Sequence, residues 1–234
     1  MRIKNTIKIF TIIAVFVVGF KGLTAQSTLN NMEISYSNYF DSKYISEGRC
    51  NLASGGLSSF NTDISFHWFN VNMWYGTGID IDYRELQFSA EFSFNLSDIG
   101  INFGLTDLSF LHDDSNDQEF YAELSYNKFN WLTPTLVNVY SFKAEGSFLE
   151  LLLEFNIPVQ NNRLGVTPFL LEGFDLGFVE DKICLNNFQI GFELSYQLID
   201  NVSINGYVAT SFGVWEESSN ENHTWGGISI STDF

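Results

Sequence analysis

Glu85-Leu86-Gln87-Phe88-Ser89-Ala90-Glu91-Phe92-Ser93-Phe94-Asn95 alternates without a break. Leu86, Phe88, Ala90, Phe92 and Phe94 point one way, and Glu85, Gln87, Ser89, Glu91, Ser93 and Asn95 the other. Side chains along a β-strand project to opposite faces in turn, so this run predicts a strand with one apolar and one polar face. The pattern recurs at Phe120, Ala122, Leu124 and Tyr126, set against Glu119, Tyr121, Glu123 and Ser125. Phe188, Ile190, Phe192, Leu194 and Tyr196, set against Gln189, Gly191, Glu193, Ser195 and Gln197, repeat it again.

Turn chemistry cuts the chain into twelve expected strands: 33–46, 60–68, 71–78, 84–95, 99–110, 118–127, 134–143, 147–156, 164–177, 186–197, 202–213 and 224–234, with ten as the alternative count. Their connections alternate in character. Short ones fall at Phe69-Asn70, Ser97-Asp98, Lys128 to Thr133, Val159 to Arg163 and Ile199 to Asn201. More variable polar ones fall at Glu47 to Ser59, Leu111 to Asp117, Val179 to Leu185 and Val214 to His223. An even strand number, short turns at one end and longer loops at the other are the marks of a bacterial membrane barrel. The expected fold is therefore all-β, a single transmembrane antiparallel up-and-down barrel over residues 26–234.

Residues 1–25 have the parts of a cleaved signal peptide: basic Arg2, Lys4 and Lys8, an apolar run from Ile9 to Phe20, and small residues up to Ala25. That apolar run is shorter than the roughly 20 residues of a membrane helix. Removing this segment, which holds four basic residues and no acid, takes the formal charge from −17 to −21. Such acidity argues against nucleic acid as a partner. Yet 45% of the chain is apolar and 24 residues are Phe, more than a single small core needs. Tyr36, Trp68, Tyr75, Tyr126, Trp131, Tyr196, Trp215 and Trp225 lie near strand ends and read as an interfacial girdle. The chain closes on Ile228-Ser229-Ile230-Ser231-Thr232-Asp233-Phe234, an alternating strand with a terminal aromatic, the form of an outer-membrane assembly signal. A soluble β-sandwich or soluble barrel would also alternate, with its apolar face inside. The leader, the girdle and Phe234 favour the bacterial outer membrane, with its lipid and its assembly machinery as partners.

Ser42-Lys43-Tyr44-Ile45-Ser46-Glu47-Gly48, the hairpin Asp63 to Gly78 with Val71-Asn72-Met73-Trp74-Tyr75-Gly76-Thr77-Gly78, Glu85 to Phe94, and Glu119 to Tyr126 carry a resemblance to the TorF-type family of porins. It covers nearly the whole mature chain through short motifs. That family has Ser-x-Tyr followed by Arg-Gly at the end of the first strand, whereas this chain has Glu47 before the glycine and Arg49 after it. The resemblance implies an exported barrel acting as a porin.

If the apolar sets face lipid, the opposite positions face the lumen: Glu33, Asp63, His67, Asn72, Trp74, Glu85, Gln87, Glu91, Asn102, Glu119, Tyr121, Glu123, Asn138, Glu150, Glu154, Gln189, Glu193, Asn205 and Tyr207. Nine are acids, and they are the pore-lining candidates: Glu33, Asp63, Glu85, Glu91, Glu119, Glu123, Glu150, Glu154 and Glu193. A pore lined by one sign of charge concentrates counter-ions, so passive diffusion of small polar solutes, cations preferred, is expected. The alternatives are a barrel with no open pore that acts through its outer loops in binding or adhesion, and a membrane-embedded lipid hydrolase. No nucleophile elbow or metalloprotease pattern accompanies His67, His112 and His223, so no enzyme is expected. His112-Asp113-Asp114-Ser115-Asn116-Asp117 lacks the spacing of a calcium loop, and Glu216 to Glu221 reads as a solvated acidic stretch; neither metal nor cofactor is expected. Cys50 and Cys184 both fall in expected outer loops, where a disulfide is possible.

Overall fold

The computed structural model describes residues 32–159, 163–214 and 222–234. The leader expected over 1–25, Trp215 and the acidic stretch 216–221 lie outside the described residues. Twelve strands close into one antiparallel barrel: β1 (Met32–Asp41), β4 (Leu57–Phe66), β5 (Phe69–Gly78), β6 (Arg84–Leu96), β7 (Ile99–Phe110), β8 (Ser115–Tyr126), β9 (Leu132–Ser141), β10 (Gly146–Phe155), β11 (Leu164–Leu176), β12 (Ile183–Ile199), β13 (Val202–Gly213) and β14 (His223–Asp233). The two remaining strands, β2 (Ile45–Ser46) and β3 (Arg49–Cys50), form a separate two-stranded ribbon.

Each strand pairs with its neighbour in the chain, and β14 returns to β1 with Ser35 opposite Asp233 and Asp41 opposite Gly227. Phe234 extends this seam. Its amide donates to Ile34 O at 2.8 Å, so the last residue zips the closing edge while its ring stays 75% exposed. Closure removes the open strand edges that hydrocarbon would leave unsatisfied.

The outer wall carries the apolar residues. Phe88, Phe94, Phe103, Leu105, Phe120, Leu124, Leu136, Leu151, Ile190, Phe192, Leu194, Ile228 and Ile230 are all exposed on it, a surface suited to lipid rather than water. Its upper limit on β7 and β8 falls where Asp107 and Gln118 replace Leu105 and Phe120, the glutamine amide donating to Asp107 Oδ1 at 3.0 Å. At the opposite edge Trp68 stacks on Phe92 and Phe94, and Phe129 bridges Tyr126 and Trp131, as an interfacial aromatic belt does.

Four details depart from the sequence reading. Strand β1 ends at Asp41 rather than running to residue 46; the exposed Ser42 still exchanges hydrogen bonds with Gly226 (Ser42 N to Gly226 O 2.9 Å, Gly226 N to Ser42 Oγ 3.0 Å), and beyond it the chain leaves the sheet for the ribbon. The first short turn is His67-Trp68 rather than Phe69-Asn70, with His67 left-handed at φ 51° and Phe66 paired to Phe69. Asn138 lies on the outer face, in register with Ala122 and Leu149, and the inward positions of β9 hold Thr135, Val137, Val139 and Ser141. Trp225 is not part of a girdle: it is 8% exposed, on the face of Ser229 and opposite Ala209 on β13, inside the barrel.

One outer connection is held by a single side chain. Asp175 has no solvent exposure, and its carboxylate accepts from the amides of Phe178 (2.7 Å), Val179 (3.1 Å) and Glu180 (2.8 Å) at the start of the β11–β12 loop. Carboxylate-to-amide bonds are worth about 1.5–3 kcal/mol, more than neutral ones. Asp175→Ala should therefore speed hydrogen exchange at amides 178–180 by at least tenfold while leaving the barrel strands protected; equal protection would show that the loop is held by other means.

Candidate functional site

The register turns Ser89, Glu91 and Ser93 on β6 toward Asn70, Gly104, Thr106 and Asn102, and this alternation carries round the ring. The interior that results has two tiers of carboxylates. In the lower tier Asp63 accepts from Asn61, from Asn72 Nδ2 at 2.6 Å and from Ser35 Oγ at 3.4 Å, the last tying β4 to β1. Glu91 lies in the field of Asp63 and Glu123, and Glu154 in that of Glu193 and Glu123. Glu123 accepts from Tyr121 and from Asn102 Nδ2 at 2.8 Å. Glu33 sits apart and exposed at the start of β1.

The upper tier comprises Glu85, Glu119 and Glu150, and the ribbon β2–β3 reaches into it. Chain 42–56 does not stand above the barrel as an outer loop; it folds across the mouth. At its base Leu52, Leu57 and Tyr83 form a buried cluster against Tyr44, Trp74, Ile81 and Phe110. Glu85, 1% exposed, lies beneath and accepts from Tyr83, from Tyr44 OH at 3.3 Å and from Gln87 Nε2 at 2.7 Å. A buried carboxylate is tolerable because three donors satisfy it. Burial first, and the adjacent Glu85 second, push the Tyr44 and Tyr83 phenols above their ordinary value of 10.0, so both remain donors at neutral pH.

The tip of the ribbon meets β12. A bulge there opposes Gly173 to Asn187 and Phe174 to Leu185, with Asn186 as the extra residue of the bulged strand, and these two consecutive asparagines are fully buried. Gly48, left-handed at φ 70°, packs on this pair: a Cβ on it would collide with Asn186 Oδ1 and lie 2.7 Å from Asn187 Oδ1. Asn187 is fixed from behind by its Nδ2 donating to Ser211 Oγ at 3.1 Å. Next along, Arg49 donates from Nη2 to Glu47 Oε2 at 3.1 Å and lies 5.4 Å from the centroid of the Phe178 ring. In the ring of twelve strands β6 and β12 are six apart in either direction, so the ribbon lies along a diameter.

Arg49 brings a guanidinium into an interior whose strands, among the described residues, supply no inward Lys or Arg. Among the described residues Arg84 is the one Lys or Arg in the twelve barrel strands, and it lies on the outer face, paired with Asp82 at 3.1 Å. Glu119 lies in the field of Glu47, Asp117, Glu85 and Arg49, and Glu150 in that of Glu47.

The remaining sequence candidates are scattered. Cys50 and Cys184 are free thiols, Cys50 on the ribbon donating to Leu52 O at 3.3 Å and Cys184 buried on β12. His67 lies in the first short turn, His112 packs on Tyr83 in the β7–β8 loop at 4.8 Å, and His223 opens β14. The ribbon itself escapes sequence reasoning; its traces are Tyr44 and Leu52 as apolar residues in a polar loop, and the Asn186-Asn187 pair that breaks the alternation of β12.

No protein-family model matches the chain, and comparison of its sequence with curated proteins finds no relative. Solved structures do match in fold. The chain is similar to the KdgM porin in complex with disordered oligogalacturonate, with a TM-score of 0.61 and 13% identity over 86% of this chain and 99% of that one. It is similar to the NanC porin at 0.59 and 11%, covering 85% and 98%. An outer-membrane channel from Pseudomonas putida F1 matches at 0.53 and 11%, covering 87% and 96%. At these identities the likeness is one of fold.

Proposed function

We propose that this chain is a passive channel of the bacterial outer membrane, of the kind the TorF-type resemblance implies, conducting small polar solutes with a preference for cations. The observation that carries the reading is the sorting of charge across one wall. Apolar side chains cover the outside, while Asp63, Glu85, Glu91, Glu119, Glu123, Glu150, Glu154 and Glu193 project inward from five strands that bear no inward Lys or Arg among the described residues. Low-dielectric walls focus such a field and raise the local concentration of counter-ions. The barrel neighbours being channels supports the same reading, as does the Phe234 seam for a chain folded by the outer-membrane assembly machinery.

The test is single-channel current of the refolded mature protein in a planar bilayer under a KCl gradient. Discrete current steps with a reversal potential displaced toward the potassium equilibrium value are expected. An anion-selective reversal would defeat the charge argument. Folded, heat-modifiable protein without current would favour a second reading, to which the ribbon across the mouth lends support: a barrel closed at its outer end that acts through its loops.

A further inference from the structure

Among the described residues two acids lie on the outer face of the barrel strands, Asp107 and Glu172. Asp107 sits at the upper limit of the apolar band and accepts from Gln118. Glu172, on β11, lies inside the band. Leu170 and Phe174 flank it along the strand, Leu151 and Phe188 face it from β10 and β12, and the exposed Leu176 continues the apolar face toward the loops. It makes no hydrogen bond or ion pair with another described residue. A carboxylate left alone among hydrocarbon is costly, and an ionisable residue kept at such a depth points to a function.

Directly below Glu172 the wall is hollowed. Pro168 has no amide hydrogen, and the continuous β10–β11 ladder stops at Glu154 and Phe169, one step short of it, with the bridge Ile157–Val166 beyond. Over this interruption lies a groove of about 570 Å³, walled by the outward side chains of Phe155, Pro168, Leu170, Ile190, Phe192 and Val208. Leu170, Ile190 and Thr210 form its row nearest the loops, and Glu172 with Phe188 is the next row up.

From this arrangement we propose that the outer wall binds a membrane amphiphile bearing an ammonium head, its chain in the groove over Pro168 and its ammonium on the Glu172 carboxylate. The apolar trough fits an acyl chain, and the lone negative charge at its end selects a cationic head over a neutral or anionic one. A second copy of this chain fits worse. A two-fold contact through this face would set Glu172 against Glu172, and Arg84, the one Lys or Arg on the outer wall of the described strands, lies on β6, five strands from β11 in the ring. The site faces lipid, so it is separate from any path through the lumen and stands or falls apart from the channel reading.

The experiment titrates the full mature barrel, in micelles of a neutral detergent at neutral pH, with dodecylammonium, dodecanol or dodecyl sulfate, and counts retained molecules by native mass spectrometry. Wild type should retain one dodecylammonium at concentrations where it retains neither of the others. Glu172→Gln should weaken that retention by about tenfold, and Val208→Trp, which fills the groove and leaves the carboxylate, by a similar factor. Asp107→Asn, the control, should change nothing. Glu172→Gln takes a charge off a lipid face and should assemble at least as well as wild type, so it decides alone if Val208→Trp does not assemble. Equal retention of dodecanol, or ammonium retention indifferent to Glu172→Gln or to an assembled Val208→Trp, overturns the site. A wild type that is dimeric in the micelle and made monomeric by Val208→Trp makes the groove a subunit seam and overturns it as well. None of these outcomes bears on single-channel current.

Discussion

Gly48→Ala is expected to lift the ribbon from its seat. A left-handed backbone costs a residue with a Cβ about 1–2 kcal/mol. The larger obstacle is steric, since the new methyl would collide with Asn186 Oδ1 and press on Asn187 Oδ1. Neither side chain can give way, because both are fully buried and Asn187 is tied to Ser211. Forcing a group into a packed site costs about 1–3 kcal/mol more. Every 1.4 kcal/mol is a factor of ten in an equilibrium, so the seated ribbon should lose its dominance by tenfold or more. Single-channel conductance should rise, and trypsin added from the loop side should cleave after Arg49 in the variant, while the seated ribbon of the wild type is expected to resist. Unchanged conductance and unchanged resistance together would show that the ribbon does not obstruct the mouth.

The second large effect concerns two adjacent residues of β7. Phe103→Arg should weaken the folded barrel by about 2–4 kcal/mol, the cost of a guanidinium near the middle of a lipid-facing band. Asn102→Arg, one residue away, should change stability by no more than about 1 kcal/mol. Asn102 points inward and donates to Glu123, and an arginine there meets Glu123 and Glu91. Unfolding in denaturant followed by the shift in gel mobility would give both values. Equal costs at the two positions would mean that the wall is not divided into a lipid face and a lumen face as the register requires.

The barrel was legible because its information is local and redundant. Each strand of about ten residues declares its two faces by itself, and β6, β8 and β12 do so with few exceptions. Where a strand is apolar on both faces the parity fails. Leu136-Val137-Asn138-Val139-Tyr140 suggests by its one polar residue that Asn138 looks inward, but the partners on β8 and β10 decide the matter, and they place it outside with Ala122 and Leu149. Trp225 is the opposite lesson. Counting back by twos from Ser229 already puts it inside, and proximity to a strand end is the weaker signal. The ribbon could not be read along the chain. Its base needs Tyr83 and Glu85, and its tip needs a bulge on β12, contacts between segments far apart in sequence.

Gly48 and its asparagine seat are separated by most of the chain, and this separation governs the order of events in folding. Contacts so distant carry a high loop-closure cost and form late. The ribbon belongs to the first connection to leave the ribosome, yet its resting place exists only once β12 has joined the sheet and taken up its bulge. A partly assembled barrel therefore has a free ribbon. Burial of Gly48 becomes a report that nearly the whole wall is in register, a built-in signal of completed assembly.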